Sequence, residues 1–162
     1  GYLGPTNMSK ALAWKWWHPR GRFGTGGQGG TAIDDEKNIY LSAWTHIEKF
    51  SPDGQSLWRY YPKHHPYYAG PGRDLTILNS GSLWGGAYYC NSEAGVAFAL
   101  NMTTGAEIWS TQFAEDIMWY RNNGFVTVHA GVVVLADDRD VLGLAARSGA
   151  PLWKYTPDVP TW

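Results

Sequence analysis

Few residues in this chain stand in an arrangement that could perform chemistry. The stretch Gly24-Thr-Gly-Gly-Gln-Gly-Gly-Thr31 has the glycine density of a phosphate cradle. It lacks a Gly-Lys-Ser/Thr ending and no helix pattern follows, so neither nucleotide-binding fingerprint is met. It reads instead as flexible chain leading into a strand. Asp34-Asp-Glu36 and Asp137-Asp-Arg-Asp140 offer hard oxygen donors of the kind calcium takes. Neither has the alternating Asp-x-Asp-x-Asp-Gly spacing of a calcium loop, and both fall where strand-joining turns are expected.

The five histidines, His18, His46, His64, His65 and His129, show no metal-ligand spacing. His129 is read as a residue of a strand end or turn. His64 and His65 sit with Tyr67 and Tyr68 in the aromatic stretch Pro62–Pro71, the one candidate for a partner-binding loop. Cys90 is the only cysteine, so it has no internal disulfide partner, and it reads as a half-buried small residue rather than a nucleophile. No Ser/His/Asp or Cys/His arrangement can be assembled. No catalytic, cofactor-binding or metal-binding residue is therefore assigned. Asn7-Met-Ser9 and Asn101-Met-Thr103 match the glycosylation sequon, with Asn7 the more usable acceptor.

The elements that would position any site come from composition and spacing. Charged residues are 17% of the chain, below the roughly 25% of ordinary soluble proteins. Aromatics are 15%, with ten Trp, ten Tyr and twenty Gly. Trp and Tyr suit pleated surfaces and Gly suits tight turns, so the balance favours an all-β chain. A net charge of −1 with scattered basic residues gives no footprint for nucleic acid. No apolar run reaches the roughly 18 residues of a membrane span.

Internal repetition is clear. Tryptophans at 14, 58, 109 and 153 are separated by 44, 51 and 44 residues, and Gly54, Gly105 and Gly149 by 51 and 44. Three of the tryptophans open similar tails: Trp14-Lys-Trp-Trp-His-Pro19, Trp58-Arg-Tyr-Tyr-Pro62 and Trp153-Lys-Tyr-Thr-Pro157. Between them lie short strand-like runs bounded by Gly, Asp and Asn turns. The third unit predicts strands at Phe125–Val128, Val132–Ala136, Val141–Ala145 and Pro151–Tyr155. The longer second unit is expected to place its seven extra residues in a connection spanning Tyr88–Gly95, and Gln112–Asn123 to form one or two helical turns. Four antiparallel strands repeated every 40 to 50 residues is the pattern of propeller blades.

The motif Ala99-Leu-Asn-Met-Thr-Thr-Gly-Ala-Glu-Ile-Trp109 resembles the repeat of the PQQ-like, or quinoprotein dehydrogenase-like, β-propellers. Looser copies end at Trp58 and Trp153. The resemblance covers nearly all of residues 10 to 158. It implies that Gly54, Trp58, Thr104, Gly105, Trp109, Gly149 and Trp153 are structural and lock one blade to the next. The expected organisation is a lead-in with the last strand of an upstream blade over 1–18, blades at 19–62, 63–113 and 114–157, and the start of a following element at 158–162. Three blades do not close the ring of seven or eight that the family builds, so an incomplete ring is expected, with the chain a piece of a longer protein or part of an assembly.

The resemblance implies two functions. One is a non-catalytic scaffold mediating protein–protein contacts, with no cofactor, a subunit or fragment within a larger assembly and partnered by other subunits or the missing blades. The other is a fragment of a quinoprotein alcohol or sugar dehydrogenase, using PQQ and calcium. Either implies a place outside the cytoplasm, in a periplasm, organelle lumen or exterior, with any membrane association made through partners. A sugar- or peptide-binding module using exposed Trp and Tyr is a third reading.

Overall fold

The computed structural model describes residues 31–43, 46–62, 80–92, 95–114, 126–136 and 140–158. Among them the chain is all β, in three antiparallel four-stranded sheets that follow one another in sequence. The first sheet holds β1 (Thr31–Ile33), β2 (Ile39–Ser42), β3 (Ile47–Phe50) and β4 (Ser56–Tyr60) in that spatial order. The second holds β5 (Ser82–Trp84), β6 (Ala87–Asn91), β7 (Val96–Asn101) and β8 (Glu107–Gln112). The third holds β9 (Thr127–His129), β10 (Val132–Ala136), β11 (Val141–Ala145) and β12 (Pro151–Tyr155).

Strands form here because successive side chains bury on opposite faces against two different neighbours. In β6, Tyr88 and Cys90 belong to an apolar cluster with Tyr40 and Ile47 of the first sheet. Tyr89 belongs to a second cluster with Trp109 and with Val133 and Leu135 of the third sheet. The core is therefore two layers, one in each joint between sheets. This two-sided burial also corrects two expectations. Tyr88–Asn91 is a strand and not the start of a long connection, and Cys90 is fully buried rather than half-buried. The seven extra residues lie between sheets: residues 61–81 (21 residues) join β4 to β5, whereas residues 113–126 (14 residues) join β8 to β9.

The turn between the third and fourth strands recurs in every sheet. Asn101 Oδ1 accepts the backbone N–H groups of Thr103 and Thr104 at 2.9 Å each, and Gly105 N–H donates to Asn101 O at 2.8 Å. Gly105 and Gly149 have φ of +72° and +70°, a left-handed conformation that glycine adopts without a Cβ penalty. Each sheet also carries a bulge at the same place, at Lys49/Phe50, Ala99/Leu100 and Gly143/Leu144. The residue before each bulge pairs with Trp58, Trp109 or Trp153.

Smaller differences from expectation have local causes. β9 runs from Thr127 through His129, later than expected, because its register is set by Val132↔His129 across the tight Ala130-Gly131 turn. Gln112 ends β8 rather than beginning a helical turn, and residues 115–123 of that stretch lie outside the described residues, as do Trp14 and Asn7.

Candidate functional site

The functional geometry among the described residues lies in the two joints between sheets and on the outward face of the third sheet. In the first joint, Trp58 reaches from β4 to the Asn101–Gly105 turn of the second sheet. Its Nε1–H donates to Met102 O at 3.0 Å, and a Cβ on Gly105 would fall 2.7 Å from Trp58 Cδ2. In the second joint, Trp109 Nε1–H donates to Ala146 O at 2.8 Å, and a Cβ on Gly149 would fall 2.5 Å from Trp109 Cε3. Thr111 Oγ1 adds a hydrogen bond to Gly149 O at 2.9 Å. Both indoles thus use a bare glycine backbone as their seat and a turn carbonyl as their acceptor.

Trp153 has the same place in the third sheet but different surroundings. It is 44% exposed, against 8% for Trp109. Its ring lies over Gly143 of its own sheet, where a Cβ would meet Trp153 Cε2 at 2.2 Å. Tyr155 on the same strand is more than half exposed, whereas the exposure of Leu152 is shared by its counterparts Leu57 and Ile108. No sheet among the described residues covers this face.

The first joint has polar reinforcements that the second lacks. Lys49 stands where the other sheets have Ala99 and Gly143. Its ammonium lies 3.2 Å from Asp34 Oδ2, donates to Met102 O at 3.0 Å and sits 4.9 Å from the centre of the Tyr40 ring. Burial works to raise the Asp34 pKa, but hydrogen bonds from Asn38, Tyr40 and Lys49 outweigh it and hold the carboxyl below its ordinary value of 3.8. Higher in the joint, Ser42 Oγ and Tyr88 Oη share a hydrogen bond at 2.7 Å, and Tyr40 stacks on Tyr88 at 5.3 Å. Burial, with the Cys90 thiol adding to it, pushes the Tyr88 hydroxyl well above the usual tyrosine range. At the rim, Tyr60 Oη donates to Glu107.

A buried charged cluster occupies the opposite face of the first sheet. Glu48 Oε1 and Arg59 Nε are 2.6 Å apart, paired by charge rather than by an aligned N–H. His46 Nε2 lies 3.3 Å from the other Glu48 oxygen. In the third sheet Asp140 is likewise engaged, with Lys154 Nζ at 2.5 Å and Thr156 Oγ1 at 2.5 Å. Asp34 begins the β1–β2 turn, accepting the Asn38 N–H at 2.8 Å.

Calcium and a quinone, which the repeat resemblance brings with it, require a free carboxylate and amide set. Among the described residues no three His, Cys, Asp or Glu side chains gather to hold a metal ion. The buried carboxylates Asp34, Glu48 and Asp140 each already neutralise a cation of their own sheet. The described residues therefore do not supply that ligand set. His64, His65, Tyr67 and Tyr68 lie outside the described residues. Lys49, Ser42, Tyr88 and Asn91 were not singled out by motif. A repeat alignment carries the signal for Lys49, since it replaces a small residue opposite a tryptophan.

No protein-family model matches the chain. It is 26% identical over 140 residues to the quinohemoprotein alcohol dehydrogenase ADH IIB of Pseudomonas putida, an overlap of 81% of this chain and 20% of that protein. Quinohemoprotein alcohol dehydrogenase from Comamonas testosteroni superposes with a TM-score of 0.65 and 21% identity, over 82% of this chain and 21% of that one. BamB from Moraxella catarrhalis superposes with a TM-score of 0.62 and 16% identity, over 79% and 37% respectively. The three sheets have the fold of β-propeller blades, like those of these quinohemoprotein dehydrogenases and BamB.

The propeller is partial. The chain spans about a fifth of the length of the curated relative it matches. The third-to-fourth-strand turns of blades two and three each meet a tryptophan from the blade before. No helix among the described residues is long and apolar enough to cross a membrane.

Proposed function

We propose that these three blades are a structural arc of a larger propeller that acts as a protein-binding scaffold, without catalytic residues of its own. The observation that carries this reading is Trp153. The indoles of Trp58 and Trp109 are seated on the next blade, whereas Trp153 and Tyr155 leave an apolar face open on blade three. Such a face, on a fold whose two described joints are closed by that same contact, fits burial against a further blade or a protein partner. The polar groups within the joints serve cohesion: Lys49, Asp34, Ser42 and Tyr88 bond to one another and to neighbouring turns. The reading places the protein outside the cytoplasm and makes other subunits its partners.

The test is the mass of the native full-length chain and of whatever it purifies with. Recovery in a heteromeric complex without bound quinone supports the scaffold, and Trp153→Glu should then weaken that complex. Full-length protein carrying quinone and calcium, and oxidising an alcohol with a dye acceptor, would overturn it.

A second reading, a quinoprotein dehydrogenase using PQQ and calcium on an alcohol or sugar, is favoured by the sequence match to the Pseudomonas putida alcohol dehydrogenase. In that case the cofactor ligands come from residues outside those described, and these blades support the ring around them.

A further inference from the structure

We draw no further inference here: the strongest candidate, the open face of blade three around Trp153 and Tyr155, belongs to the reading already given, and nothing in the structure shows what covers it.

Discussion

Trp109 lays the edge of its indole where Gly149 has no side chain, and a Cβ on that glycine would come within 2.5 Å of the ring. The contact joins two blades through a surface that is covered on both sides, with the Nε1–H satisfied by Ala146 O at 2.8 Å. Trp109→Ala should therefore cost about 3–5 kcal/mol of stability. Trp153→Ala, on the open face, should cost about 1 kcal/mol or less. Urea unfolding of the two variants measures the difference, and equal losses would show that the seat on the next blade contributes nothing.

The glycine side of the contact gives a separate prediction. Gly149→Ala combines a φ of +70° with a Cβ crowded by Trp109 and by Thr111 Oγ1 at 2.6 Å. About 1–2 kcal/mol is expected from the left-handed conformation and about 1–3 kcal/mol from overpacking. Gly86→Ala has a φ of +80° but nothing within 4 Å of the new Cβ, so only the conformational part remains. The comparison separates backbone strain from loss of the tryptophan seat.

Lys49 makes the first joint sensitive to charge. Lys49→Ala copies Ala99 but leaves the buried Asp34 carboxylate with only Tyr40 and Asn38, at a cost of about 1–3 kcal/mol. Asp34 has its folded-state pKa held below 3.8, so its contribution is complete above that value and is lost as pH falls through the lower folded value. Unfolding curves below pH 3.8 should show this loss in the parent protein and a flatter profile in Asp34→Asn.

Tyr88→Phe removes the hydroxyl that pairs with Ser42 and leaves that serine buried without its tyrosine partner. The expected cost is about 1–2 kcal/mol. The double variant with Ser42→Ala should recover part of it, since both polar ends are then gone. Additive losses in the cycle would show that the two residues do not interact.

Much of the fold was legible from spacing. The strands at Val132–Ala136, Val141–Ala145 and Pro151–Tyr155 follow directly from short apolar runs between turn residues. The Asn101–Gly105 turn declares itself because Asn, Thr and Gly satisfy it with their own local hydrogen bonds. Tyr88–Asn91 did not, because a strand buried on both faces shows no alternation, and a run of two tyrosines, a cysteine and an asparagine looks like a connection. The polar pairs of the joints were equally hidden. Asp34 and Lys49 are 15 positions apart and Ser42 and Tyr88 are 46 apart, and no local pattern links them.

The sequence by itself determined the repeat, its turns and the positions of Trp58, Trp109 and Trp153 in it, because those depend on nearest-neighbour backbone preferences and on period. Only the tertiary structure decided which tryptophan is covered and which lysine is neutralised. Those depend on what one blade presents to the next, and side chains that meet across a joint are chosen by packing and charge pairing rather than by their neighbours along the chain.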